Sequence, residues 1–168
     1  MAELSTAGIQ VLYAIESVAG TRPTSGYQRL PGIKSTPDMN PEPSLLDVTD
    51  LSATEYREYT EGLRDLSVAA FTANDTDAFE AAWYAMWYLS EAARADGKAT
   101  WFCIYHPSLA KSSFFRGAPS PLGESAHEVD GVLEVTAYVT ATKAVGKQTA
   151  PTSPAVYITP IQTQYIDS

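Results

Sequence analysis

Between Asn74 and Gly97 the apolar positions recur at steps of three and four: Phe79, Trp83, Met86, Ser90 and Ala93, with Ala82 and Leu89 widening the stripe. This is the period of a helix with one buried face. Asn74-Asp75-Thr76-Asp77 supplies side-chain oxygens where a helix start leaves amides unpaired, and Glu80, three residues after Asp77, suits a capping box. Asp96-Gly97 follows the last periodic residue and suits a left-handed stop. The spacing therefore predicts a helix over about 77–95.

Elsewhere the period is two, or apolar runs are short and bounded by turn residues. Ile9, Val11, Tyr13 and Ile15 alternate with Gln10, Leu12, Ala14 and Glu16, which predicts a half-buried strand ending near Gly20. Residues 45–49 and 54–60 read as short strands or turns around Asp50-Leu51-Ser52, and a further strand runs from Leu66 to Ala73. Thr100–His106 has strand composition and stops at Pro107. Phe114 and Phe115 follow, then a turn-rich loop through Gly117, Pro119, Pro121 and Gly123. The cleanest strand is Val132–Thr142, with Leu133, Val135, Ala137, Val139 and Ala141 on one face and polar residues on the other.

One stretch follows neither period. From Gly20 to Ser44 the chain is punctuated by Pro23, Gly26, Pro31, Gly32, Pro37, Pro41 and Pro43, yet it holds Tyr27, Leu30 and Ile33, which a flexible linker does not need. The expected architecture is mainly β: an antiparallel β-sandwich or partly open barrel with one flanking α-helix (about 77–95) and a long extended loop or arm (about 20–44). Residues 1–147 form one domain, and 148–168 a C-terminal arm or edge strand.

Composition narrows the function classes. A chain of 168 residues with 45% hydrophobic content can bury a real core. Its net charge of −9, with only 11 Lys and Arg, disfavours binding to a phosphate backbone. Cys103 is alone, so there is no internal disulfide framework, and Met1-Ala2-Glu3-Leu4-Ser5 lacks the pattern of a secretion signal. The longest uncharged apolar run is half the ~20 residues of a membrane span. These features read as a soluble cytoplasmic protein.

Candidate chemistry is sparse. His106, His127 and Cys103 match no metal-ligand spacing, and Cys103, two positions from Trp101 and Tyr105, reads as a small core residue. Asn74–Asp77 lacks the Gly and distant Glu of a calcium loop. No phosphate-binding glycine loop or nucleophile elbow is present, so no catalytic, cofactor or metal residue is assigned and the chain is not read as an enzyme. Alternation places Glu16, Glu55, Glu61 and Glu134 on polar strand faces, with Asp47 and Asp50 nearby. An alternative reading is a carbohydrate- or surface-binding β-sandwich using Trp83, Trp87 or Trp101 as sugar platforms.

An ordered series of segments resembles a known family. Ser5-Thr6-Ala7-Gly8-Ile9, Tyr13-Ala14-Ile15-Glu16, Gly20 to Tyr27, Leu30-Pro31-Gly32-Ile33-Lys34-Ser35, Leu46 to Ser52 and Glu61-Gly62-Leu63-Arg64-Asp65 run in the order seen in the major tail proteins, or tail tube proteins, of long non-contractile-tailed phages. The specific matches cover residues 1 to about 75, and none extends past Lys147. The resemblance implies hexameric rings that stack into a tube around a tape-measure protein, with terminator and distal tail proteins at its ends. DNA passes through without specific binding, and the protein belongs to the virion after assembly in the host cytoplasm. It further implies that residues 20–44 reach a neighbouring subunit through Arg22, Tyr27, Leu30, Pro31 and Ile33. Glu16, Glu55, Glu61 and Glu134 become candidates for an acidic channel wall.

Overall fold

A computed structural model describes residues 8–52, 54–64, 68–124 and 126–151. The strands are β1 Gln10–Ile15, β2 Gln28–Leu30, β3 Ile33–Ser35, β4 Leu45–Asp47, β5 Tyr59–Glu61, β6 Val68–Asn74, β7 Thr100–Tyr105, β8 Lys111–Pro119 and β9 Glu134–Thr149, and the helix is α1 Asp77–Ala95. Seven strands form one antiparallel sheet in the order β2-β1-β7-β8-β9-β6-β3, while β4 and β5 form a separate two-stranded ribbon. The expected mainly-β, partly open barrel with one helix is the observed class.

The two ends of that order explain the shape. β2 lies on β1 and β3 lies on β6, yet only Pro31-Gly32 separates β2 from β3. Both run antiparallel to their neighbours, so residues 28–35 behave as one kinked strand bridging the two ends of the sheet and nearly closing it. Gly32 takes φ +77° at the kink, and its carbonyl accepts from the Asn74 amide at 3.0 Å. A side chain disfavours that backbone conformation, and Pro31 presets the turn.

Inside the barrel, Val11 and Tyr13, Phe71, Phe102, Phe115, Val135, Ala137 and Val139 point inward from five strands and join Leu30 of β2. α1 stops an opening of the barrel by laying Phe79, Ala82, Trp83 and Met86 onto these residues. Full burial of side chains this large contributes about 1.5–3 kcal/mol each. The Trp83 indole donates to the Ser120 carbonyl at 2.8 Å, so its one polar atom is satisfied. The helix begins at Asp77 as expected, and its cap is Thr76, whose hydroxyl accepts from the Phe79 amide at 3.2 Å. Glu80 instead faces Asp75; the hydrogen bond between the two carboxyls, then burial, hold the Glu80 carboxyl above its ordinary value. At the far end Gly97 (φ +73°) closes a Schellman motif, with Lys98 N donating to Ala93 O and Gly97 N to Arg94 O.

The opposite face of β1, β7 and β8 is also covered. Leu12, Ala14, Trp101, Cys103 and Phe114 form a second buried cluster with Tyr27. β1 is therefore buried on both faces, not half-buried as its alternation predicts, because the chain after it folds back and lays Tyr27 over Leu12 and Phe114. The Tyr27 and Phe114 rings meet edge to face at 5.7 Å, and the Arg22 guanidinium lies 4.4 Å from the Phe114 ring centre.

Two strands differ from the sequence reading. β8 occupies a segment without a clear period, since Phe114 and Phe115 serve opposite faces and β9 carries extra residues opposite Phe114/Phe115 and Arg116/Gly117. β9 extends to Thr149, seven residues beyond the expected end, because β8 pairs with it along its whole length. Val132 and Leu133 precede it, exposed. The expected start of β6 at Leu66 and the tail beyond 151 lie outside the described residues.

Candidate assembly interface

The stretch expected to be an arm divides in two. Its first part belongs to the body: Tyr27 and Leu30 are buried, Ile33 packs against the main core, Arg22 sits on Phe114, and Pro31 makes the kink of the closing strand. The Tyr27 hydroxyl donates to the Pro23 carbonyl at 2.9 Å, and burial pushes its pKa up to about 12. These five residues do not project from the chain. From Thr36 onward the backbone leaves the sheet, though Met39 still packs against the main core, and the excursion continues past Ser44 into the β4–β5 hairpin before the chain rejoins the barrel at β6.

That hairpin is ordered by its own hydrogen bonds. β4 and β5 pair in register, Leu45 with Glu61 and Asp47 with Tyr59, and the stem is clasped by Gly62 N donating to Ser44 O and by the Ser44 hydroxyl donating to Leu63 O. Any side chain at Gly62 runs into Ser44. At the tip Thr49 and Glu58 bridge the two limbs, the Asp47 carboxylate accepts from the Thr49 amide at 2.9 Å, and Arg57 lies 3.5 Å from Asp47. Hydrogen bonds from the Thr49 hydroxyl and amide hold the Asp47 carboxyl below the ordinary range.

Despite this local order, every strand residue of the hairpin is exposed. Seven large apolar side chains between 45 and 63 face solvent: Leu45, Leu46, Val48, Leu51, Tyr56 at 82%, Tyr59 and Leu63 at 87% exposure. A two-stranded ribbon is marginal in water without a covering surface. Apolar side chains this concentrated mark an association surface. The sequence reading expected short strands or turns over 45–49 and 54–60, and the observed strands are Leu45–Asp47 and Tyr59–Glu61; Tyr27, Leu30 and Ile33 resemble the hairpin's apolar residues in composition but pack within the body.

The four carboxylates expected on one wall are not brought together. Glu16 is buried at 3% exposure. Its Oε1 accepts from the amides of Ala99 (2.8 Å) and Gly20 (3.1 Å), and its Oε2 accepts from the Trp101 indole (2.8 Å). Burial alone raises its pKa; these bonds, with the Arg116 charge, more than reverse that and leave the carboxyl below its ordinary value. Glu16 therefore ties the turn after β1 to the turn after α1 and is no wall residue of this chain. Glu55 and Glu61 are exposed on the hairpin, and Glu134, at the start of β9, lies 3.2 Å from Lys34 of β3.

Other candidates resolve into structure. Cys103 is buried, and burial pushes its thiol up to about 11. His106 Nδ1 accepts from the Ser108 amide at 3.0 Å, and His127 lies 3.0 Å from Glu124. Among the described residues no three His, Cys, Asp or Glu side chains gather as a metal set, and no helix is long and apolar enough to cross a membrane. Trp83 and Trp101 are buried with their indole nitrogens bonded, which removes both as sugar platforms; Trp87 is half-buried between Tyr84 and Tyr88.

No protein-family model matches the chain, and no curated protein matches its sequence. Solved structures do share its fold. A chain from the tail of an empty GTA particle, refined with helical C6 symmetry, aligns with a TM-score of 0.54 at 14% identity over 88% of this chain and 99% of that one. A chain from the tube-terminating cap of the anti-feeding prophage gives 0.56 at 11% identity over 89% and 93%. One from the sixfold-symmetrised baseplate of the same prophage gives 0.52 at 7% identity over 86% and 95%. What is shared is the fold. Each alignment spans nearly the whole of the matched chain.

Proposed function

We propose that this chain is a structural virion protein that self-assembles into stacked hexameric rings, forming a phage tail tube through which the genome is delivered. The observation that carries the reading is the β4–β5 hairpin, whose seven exposed apolar side chains have no covering surface in their own chain. The fold shared with chains from a C6 tail and two prophage assemblies supports the same reading. In this reading the hairpin with its stem, about 44–63, is the assembly arm that engages a neighbouring subunit. The tube domain runs through the end of β9 at Thr149, two residues past the expected boundary at 147, and the residues after it are a terminal arm or edge strand. Identical copies suit such a contact because a head-to-tail interface repeats around an axis and closes when its rotation divides a full turn.

The acidic balance gives the channel its property. A chain of net charge −9 multiplied around a ring repels the phosphates passing through, so DNA slides without being held. Repulsion between exposed charges extends over about 10 Å at moderate salt. Glu55, Glu61 and Glu134 remain candidates for the wall. The tape-measure protein fills the channel before DNA, and terminator and distal tail proteins cap its ends. No enzymatic step belongs to this role.

Electron microscopy of the purified chain at high concentration, with and without a tape-measure partner, tests the proposal. Rings or tubes with a central hole are expected. A strictly monomeric protein under every assembly condition overturns it.

A further inference from the structure

A second feature lies at the opposite end of the charge scale. Beside the C-terminus of α1 a cleft of about 250 Å³ is lined by Arg94 and Ser90 of the helix, Lys98 of the following turn, Thr100 of β7, Arg116 of β8 and Thr142 of β9. Three of the chain's 11 cationic residues converge here in a protein of net charge −9. The helix dipole accounts for Arg94 and Lys98, since positive charge is favourable at a helix C-terminus. It does not account for Arg116, which comes from a strand, acts on the Glu16 carboxylate through its charge and is held in place by its Nε donating to the Thr142 hydroxyl at 3.1 Å. Nor does it explain Thr100, which is 2% exposed and whose hydroxyl has no hydrogen-bond partner. A buried donor left unmade costs free energy and calls for an acceptor. Arg94 is engaged at the rim by Glu91 at 3.0 Å, an exposed pair that a better-placed carboxylate can displace.

We propose that this cleft receives a carboxylate side chain from the β4–β5 hairpin of a second copy of this chain. The proposal rests on the self-assembly reading above and names the receptor for its arm. Between residues 45 and 64 the hairpin carries Asp47, Asp50, Glu55, Glu58 and Glu61 against only Arg57 and Arg64, so the acidic arm and the cationic cleft are complementary. The chain's own hairpin does not fill the cleft, because its side chains are exposed. Guanidinium groups bind carboxylates through paired, directed hydrogen bonds, and the cleft offers two of them with a hydroxyl between strands. The apolar side chains of the hairpin supply contact area, and the carboxylate fixes where the hairpin lands.

A charge exchange in the full chain tests this. One variant carries Arg94→Glu with Lys98→Glu, the other Glu55→Lys with Glu58→Lys; all four positions lie outside the buried core, so circular dichroism should match the parent, while the cleft variant, which reverses charges favoured at the helix C-terminus and loses the Glu91 pair, should melt a few degrees lower and is assayed well below that midpoint. Sedimentation velocity and electron microscopy should show each variant alone losing about tenfold or more in self-association. An equimolar mixture should recover it, since each reversed arm then meets a cleft of opposite sign. If the cleft variant assembles as well as the parent, or the mixture does not recover, the cleft assignment is wrong while tube formation by the parent leaves the arm reading intact. If the parent forms no rings but the mixture associates pairwise, the cleft stands and the tube reading fails. If neither the parent nor the mixture associates at any concentration, both fall.

Discussion

Glu16 offers the sharpest test of the fold. Replacing it by Gln keeps the volume and removes the charge. The remaining amide oxygen can hold the Ala99 and Gly20 amides, but the new NH₂ then faces the Trp101 indole N–H, donor against donor, in a site that is 3% exposed. A hydrogen bond to a charged group is worth about 1.5–3 kcal/mol, and a buried donor left unpaired costs about 1–3 kcal/mol. Glu16→Gln should therefore lose about 1–3 kcal/mol, and Glu16→Ala, which strands all three donors, about 3–5 kcal/mol. For a chain of this length each kcal/mol moves the midpoint by about 2–4 °C, so the Ala variant should melt on the order of 10 °C lower. The effect should also depend on pH. The folded carboxyl titrates below its ordinary value, because the three hydrogen bonds and Arg116 outweigh the burial that would raise it. Its contribution is then fully present above the unfolded value, about 4.3, and is lost as pH falls through the lower folded value. Denaturant titrations between about pH 7 and pH 3 should show parent and Gln variant converging on the acid side. Equal stability at pH 7, or a gap that widens on acidification, refutes the assignment of Glu16 as a buried, ionised clasp.

Trp83→Ala removes the largest fully buried side chain of the helix and the indole bond to Ser120, and should cost about 3–5 kcal/mol by denaturant titration. A loss below about 1 kcal/mol would mean that the helix is not seated on the barrel. Tyr56→Ser with Leu63→Ser, at two of the most exposed apolar positions, should leave the unfolding midpoint within about 0.5 kcal/mol of the parent while abolishing rings in electron micrographs. Unchanged rings would remove the hairpin from the interface. Cys103, buried and with its thiol near 11, should react with a thiol reagent at pH 8 only as fast as the protein unfolds and at once in denaturant. Fast labelling of the native chain would contradict the second buried cluster.

The helix was legible because its information is local. Phe79, Trp83 and Met86 share a face by spacing alone, and Gly97 stops the helix through its own backbone freedom. Only the cap moved, from Asp77 to Thr76, where four neighbouring side chains could each have served. β8 was not legible, because its two phenylalanines serve two different cores and its register depends on extra residues in β9. The closing strand was hidden for a related reason. Gln28–Leu30 and Ile33–Ser35 are each too short to show a period, and their meaning as one strand comes from β1 and β6, which lie far away in sequence. Glu16 misled for the opposite reason. Its place at the end of an alternating run predicts solvent, and the turn at Ala99 together with Trp101, 83 and 85 residues away, brings the donors that bury it.

The arm shows where a single sequence stops being informative about a single chain. Tyr27 and Leu30 on one side of Ser44, and Leu46, Tyr56 and Tyr59 on the other, are the same kinds of residue in the same kind of proline- and glycine-bounded setting. Composition predicts that all five seek burial. What separates them is what they pack on: Tyr27 covers the outer face of β1, β7 and β8, while Leu30 completes the interior through the closing strand. Among the described residues the hairpin has no such cover, and every residue of its two strands is exposed. An apolar demand that the chain's own surface does not meet must be met from outside it or be carried as a standing cost in water. The hairpin's hydrogen-bonded stem and tip order its backbone without any apolar cover, so in the proposed assembly an ordered ribbon with unburied side chains is what one copy presents to the next. Pre-ordering lowers the conformational entropy lost on docking, which favours a defined landing site over indiscriminate adhesion.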